Sequence, residues 1–149
     1  MQPLRSSHGF SLVEVVATLG IVGVLYTIAV PAVSTLRNKA SLVSAQREVI
    51  SALYRTRGGA IASNTPRRMV FTPPASIQVT DLSGSTTYYT ENLDTYGPGI
   101  AIASDNPITV TYDARGLLNP PTTVTFRLQD PAGDFKTVTI YPTGKPVAN

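Results

Sequence analysis

Residues 10–30 form a run of twenty-one residues in which Glu14 is the only charge. As an α-helix this run is roughly 31 Å long, close to the ~30 Å hydrocarbon thickness of a bilayer. A helix packed in the core of a small domain keeps a polar face, and this one has none. The run therefore predicts a membrane-spanning helix. Gly20 and Gly23 lie inside it and Pro31 follows it directly. Proline lacks an amide donor, so a bend or loosening of the helix is expected at Pro31.

The next stretch, residues 32–63, keeps helical spacing but becomes amphipathic. Val33, Leu36, Ala40, Val43, Ile50 and Leu53 recur at intervals of three, four or seven, and Arg37, Lys39, Arg47, Glu48 and Arg55 fall mostly elsewhere. This stripe predicts a face packed on a sheet. Gly58-Gly59 weakens the end of the stretch, and Asn64-Thr65-Pro66 is a stop signal.

Beyond residue 66 the chain holds fourteen of its nineteen threonines and is cut by Pro, Gly, Asn and Asp clusters. Strands are predicted at 68–72, 76–80, 86–91, 99–103, 108–113, 123–129 and 135–141. In two of them Val124, Phe126 and Leu128 alternate with Thr125, Arg127 and Gln129, and Val138 and Ile140 with Thr137, Thr139 and Tyr141. Alternation gives one buried and one wet face, which is the habit of antiparallel sheets. The fold class is thus α+β: a long N-terminal helix, membrane-spanning in its first half, packed on a C-terminal antiparallel β-rich domain. Its segments are 1–9, 10–36, 37–63 and 64–149.

Composition narrows the function. Charged residues are 14 % against about 25 % in ordinary soluble domains, and 42 % are hydrophobic, which excludes a highly charged disordered chain. There is no cysteine, so no disulfide framework or thiol nucleophile, and the one histidine is His8. No nucleophile–base pair stands out, so an enzyme is not expected, and no cofactor or metal either. Asp105, Asp113, Asp130 and Asp134 sit beside turns but form no calcium-type loop. Turn formation explains them. The net charge of +3 divides unevenly, with a net of +6 between Arg37 and Arg68 and −3 from Met69 onward. That asymmetry suits a stem next to a membrane anchor.

The opening reads Gly9-Phe10-Ser11-Leu12-Val13-Glu14. A polar leader ending in glycine, then phenylalanine, then an apolar helix with glutamate at its fifth position, resembles the type III signal of type IV pilins and pseudopilins. Pro31 resembles the proline that these proteins often carry twenty-two residues into the mature chain. The resemblance implies that prepilin peptidase removes residues 1–9 by cutting between Gly9 and Phe10, and that Phe10 is then N-methylated. It implies a single-pass inner-membrane protein, in contact with lipid before assembly, whose C-terminal domain lies outside the cytoplasm. That protein then joins other pilin or pseudopilin subunits in a pilus or pseudopilus. The residues support one part of this on their own. A carboxylate within a bilayer costs about 2.5–3.5 kcal/mol, so Glu14 needs a partner. A cut after Gly9 creates an α-amine four residues away, on the same helical face. By resemblance, Glu14 also meets the amine of a neighbouring subunit.

The segments Leu53-Tyr54-Arg55-Thr56-Arg57-Gly58-Gly59-Ala60-Ile61, Pro66-Arg67-Arg68-Met69-Val70-Phe71, Tyr112-Asp113-Ala114-Arg115-Gly116 and Ile140-Tyr141-Pro142-Thr143-Gly144-Lys145 are similar to the GspH/FimT minor (pseudo)pilin group. Members are minor subunits in type II secretion or type IV pili, and some bind DNA in natural transformation through a C-terminal Gly-Arg-x-Arg element. Here that element reads Gly144-Lys145-Pro146-Val147, which lacks one cation. Lys145, with Arg67 and Arg68, is the candidate DNA contact, although paired arginines before a strand more often form a solvated edge. Tyr88, Tyr89 and Tyr96 could stack on a ligand or pack on the sheet. Two alternatives stand beside the minor pilin: a DNA-capturing minor pilin in competence, and a secreted or anchored β-rich binding domain. A secretory signal cut after Val30-Pro31-Ala32 would give the last. Against it stand the length of the apolar run and the presence of Glu14 within it.

Overall fold

The structure, a computed structural model, describes residues 11–149, with side chains at 28–32 and 34–35 excepted. Its elements in chain order are α1 (Leu12–Ser63), β1 (Arg67–Thr72), β2 (Ser76–Asp81), β3 (Thr87–Asn92), a 3₁₀ turn (Leu93–Thr95), β4 (Ala101–Ile102), β5 (Ile108–Tyr112), β6 (Val124–Gln129), β7 (Phe135–Ile140) and β8 (Pro146–Ala148). By its internal contacts the chain divides into two compact units, Met1–Leu36 and Arg37–Asn149.

In the first unit, α1 is helical from Leu12 onward, and residues 11–27 are all exposed. Helix assignment continues through position 31, so Pro31 does not end the helix, and its side chain lies outside the described residues. Among the described residues no helix is long and apolar enough to cross a membrane.

In the second unit, two four-stranded sheets are antiparallel throughout, in the orders β3-β2-β1-β5 and β4-β6-β7-β8. All seven predicted strands are present, although 99–103 shrinks to Ala101–Ile102. The strand signals miss β8. Pro146 hides it, and proline is tolerated there because β8 is an edge strand, paired only with β7. Alternation places Thr139 on the wet face of β7, yet it is only 8 % exposed. Thr125 and Val147, its cross-strand partners on β6 and β8, flank it.

One core joins α1 to both sheets: Leu42, Val49 and Leu53 from the helix, Met69, Phe71 and Tyr112 from the first sheet, Phe126, Leu128 and Ile140 from the second. The Phe71 and Phe126 rings meet at 4.6 Å between centroids. The buried helix face differs from the predicted stripe. It runs through Leu42, Ala45, Gln46, Val49, Ala52, Leu53, Thr56 and Ala60, while Val33 and Leu36 are exposed and Val43 and Ile50 only half-buried. Leu42 and Val49 sit one position before the predicted Val43 and Ile50, and the three alanines account for the rest of the difference. A helix pressed closely on a sheet buries small side chains at its centre and leaves larger ones at the margins. Gly58-Gly59 does not interrupt α1, which ends at Ser63. Asn64 then adopts a left-handed conformation (φ 50°), Thr65 N–H donates to the Ala60 carbonyl at 3.2 Å, and Pro66 blocks continuation.

Gln46 is a buried polar residue that apolar periodicity overlooks. Its side-chain amide donates to the Thr137 carbonyl (2.8 Å) and the Asn149 carbonyl (3.3 Å), while Thr137 and Asn149 exchange backbone bonds at 3.0 Å. Replacing Gln46 with leucine removes both side-chain bonds while each carbonyl keeps its backbone donor, at about 0.5–1.5 kcal/mol. Hydrogen exchange should show the amides of Thr137 and Asn149 losing protection first. Unchanged protection there would remove Gln46 as the tie on β8.

Candidate functional site

The surface features that could carry function are the apolar face of α1's first half and two arginine-containing clusters on the β-rich unit. Gly9 and Phe10, with the rest of the 1–9 leader and His8, lie outside the described residues. Glu14 stands in the first turn of α1, where unpaired backbone N–H groups favour a negative charge. Around it the helix is apolar on every side, with Leu12 80 % and Val13 74 % exposed, and Leu19, Val22, Leu25 and Tyr26 also exposed. The polar exceptions hide their donors. Thr18 hydroxyl bonds back to the Glu14 and Val15 carbonyls, and Thr27 hydroxyl to the Val24 carbonyl at 2.7 Å. A Cβ on Gly20 or Gly23 would meet nothing within 4 Å, so among the described residues no contact accounts for either glycine.

The first cluster links α1 to β3. Arg55 pairs with Glu48, donates to the Tyr89 hydroxyl at 3.1 Å and lies 4.9 Å from that ring's centroid. The Tyr89 hydroxyl donates to Glu91, and so does that of Tyr96 at 2.7 Å. The Arg67 guanidinium sits 4.1 Å over the Tyr88 ring. Tyr89 and Tyr96 are therefore committed within the chain, and Tyr88 carries Arg67 on its face. Arg67 and Arg68 are half-buried, each with its Nε enclosed, which is not the freely solvated edge that their sequence position suggested.

These bonds set the acid–base behaviour. Hydrogen bonds from Tyr89 and Tyr96 hold the Glu91 carboxyl below the ordinary 4.5. Burial first, and then Glu91, push the Tyr89 phenol up, and the Tyr96 phenol is pushed up to about 12 by its bond to Glu91. A depressed carboxyl stabilises the fold above its unfolded pKa, near 4.5, and that contribution is lost as pH falls through the lower folded value. Glu91→Gln should therefore flatten the acid limb of stability below about pH 4.5. Denaturation midpoints across that range check it, and an unaltered acid limb would contradict the assignment.

The second cluster packs the turn after β5 against the turn after β7. Arg57 Nε donates to the Gly116 carbonyl (2.9 Å), and its terminal nitrogen to the Thr143 carbonyl (3.3 Å). Gly144 has φ 77°, and a Cβ there would collide with the Gly116 carbonyl, so glycine is required on both counts. Lys145 follows it, exposed, with its carbonyl accepting from Tyr141 N–H at 3.0 Å. Arg115 is bonded to Asp113 at 3.0 Å and helps line an open cleft of about 480 Å³ with Leu118, Pro142 and Thr143. Among the described residues no hydrogen bond or ion pair joins Arg67 or Arg68 to Lys145. Arg57 was the overlooked residue. No local signal marks it, because its carbonyl partners lie 59 and 86 residues away.

Asp113 and Asp130 act as turn formers. Asp113 accepts from the Arg115 and Leu117 amides at 2.9 Å, and Asp130 from those of Ala132 (3.0 Å) and Asp134 (2.9 Å). The Leu117 amide is foremost in holding the Asp113 carboxyl below its usual range. Asp105 lies exposed in the loop after β4. Among the described residues no group of three His, Cys, Asp or Glu is placed to hold a metal ion.

One long helix carrying an antiparallel β-rich domain is the pilin fold, and solved structures place the chain in that class. It is similar to crystal structures of the type IV minor pilin FimU from Pseudomonas aeruginosa (strain PAO1) in two crystal forms. The P21 form aligns with a TM-score of 0.63 at 19 % identity over 77 % of this chain and 91 % of that one. The P65 form aligns with a TM-score of 0.59, again at 19 % identity, over 72 % and 92 %. No protein-family model and no curated protein sequence matches the chain.

Proposed function

We propose that this protein is a structural subunit, a minor pilin or pseudopilin, of a type IV pilus or type II secretion pseudopilus. In this reading prepilin peptidase cuts after Gly9, and the new amine of Phe10, N-methylated, begins the mature chain. The 10–36 segment first resides in the inner membrane with the β-rich domain outside the cytoplasm. It then exchanges lipid for the helices of neighbouring subunits. The observation that carries the proposal is the contrast along α1, in which residues 11–27 are exposed all round while the later half buries one face in its own domain. Gly20 and Gly23, open on the helix surface, suit close approach of another helix. The similarity to FimU supports the same reading. Immunoblotting of sheared surface filaments against the membrane and culture medium tests it. The protein is expected in the membrane and filament fractions, and its recovery only as free protein in the medium would favour the secreted β-rich domain.

The competence reading rests on exposed Lys145, with Arg67 and Arg68 as the other candidate contacts. It needs phosphate contacts that lose affinity with salt. A gel shift with the full chain in detergent decides it, since absence of any shift at low salt excludes DNA capture.

A further inference from the structure

A groove of about 470 Å³ opens between α1 and the β6–β7 turn, lined by Lys39, Leu42, Val43, Asp134, Phe135 and Lys136. Its floor is apolar and its rim is cationic. Phe135 is 55 % exposed, and the Arg127 guanidinium lies 4.7 Å from its ring centroid. Lys39 and Asp134 form an exposed pair at 3.8 Å. The neighbouring carboxylate, Asp130, is only 4 % exposed and accepts backbone amides. Three cations and one exposed carboxylate therefore surround a largely exposed aromatic ring, with Arg127 over its face. Positive side chains around an aromatic side chain suit an interface of anionic headgroups, which attract lysine and arginine near the surface.

We propose that this groove docks on the anionic lipid headgroups of the membrane holding the apolar segment, seating the β-rich unit on the bilayer before assembly. The inference rests on the membrane reading above and adds a second lipid contact, made by the globular unit. Chain connectivity supports the choice of occupant. Lys39 lies only nine positions beyond Val30, the end of the apolar run, at most ~14 Å of helix. The polar headgroup layer begins where the hydrocarbon ends. A bilayer surface is thus the extended anionic partner that chain connectivity keeps within reach.

The chain contains no tryptophan, so Phe135→Trp in the full-length protein gives a single reporter. The variant is reconstituted into vesicles of phosphatidylcholine alone, or of phosphatidylethanolamine with phosphatidylglycerol, with headgroup-level quencher lipids in each. The expected result is a blue-shifted, quenched emission only in the phosphatidylglycerol vesicles. That signal should be lost in about 1 M salt, where the Debye length is ~3 Å, and in the Lys39→Glu/Lys136→Glu background. Leu82→Trp, in the β2–β3 turn, should respond to neither lipid. Equal emission from the Phe135→Trp variant in both vesicle types, with protein bound to both, overturns the proposal and leaves the membrane reading intact. A shift that follows protein density instead of lipid charge overturns it in favour of a second copy as occupant. Failure of the protein to float with either vesicle overturns both readings.

Discussion

Glu14→Leu is expected to leave cleavage after Gly9 intact and to remove the protein from filaments. The cut depends on the leader and its junction, whereas Glu14 lies four residues beyond Phe10. In lipid or among packed helices, an ionised carboxylate costs about 2.5–3.5 kcal/mol unless an amine neutralises it. Leucine has no such cost, so the variant should insert into membranes at least as well as the parent. What it loses is the attraction that sets its register against a neighbouring subunit. A difference of that size corresponds to roughly a hundredfold in an incorporation equilibrium. Processed protein in the membrane with little in sheared filaments is the predicted pattern. Normal incorporation would remove the pairing role of Glu14.

Phe71→Ala is the substitution with the largest expected effect on the β-rich unit. Phe71 is fully buried near the C-terminal end of β1, and its ring meets Phe126 of the other sheet. Truncating a buried phenylalanine removes about 3–5 kcal/mol, a large share of the 5–15 kcal/mol that holds a typical domain together. Ala75→Gly, a smaller change in the same core, should cost far less. Chemical denaturation of the full chain in detergent, followed by tyrosine fluorescence and circular dichroism, measures both. Similar midpoints for Phe71→Ala and the parent would show that the two sheets do not share a core.

The long helix, its Asn64-Thr65-Pro66 stop and seven of the eight strands were legible because each rests on a local signal: an apolar run, a turn cluster or an alternation. The buried face of α1 was less legible. The stripe included Val33, Leu36 and Ala40, all exposed, and passed over Leu42 and Val49 as well as Ala45, Ala52 and Ala60, which are buried. Close packing rewards small residues, and hydrophobicity alone does not register that. Gln46 and Arg57 were invisible for a related reason. Their roles depend on the carbonyls of Thr137, Asn149, Gly116 and Thr143, far away in sequence. Tyr88, Tyr89 and Tyr96 were recognisable as a group, but a ligand platform and an internal arginine–glutamate network share one composition. Only the positions of Arg55, Arg67 and Glu91 separate the two.

Pairing of Glu14 depends on where the mature chain begins, because it needs an amine four residues before it. Intact-mass and N-terminal peptide spectrometry on protein purified from its own membranes tests this directly. The predicted first residue is Phe10, carrying one added methyl group. A chain beginning at Met1, or at Val33 after cleavage of a secretory signal, would contradict the account.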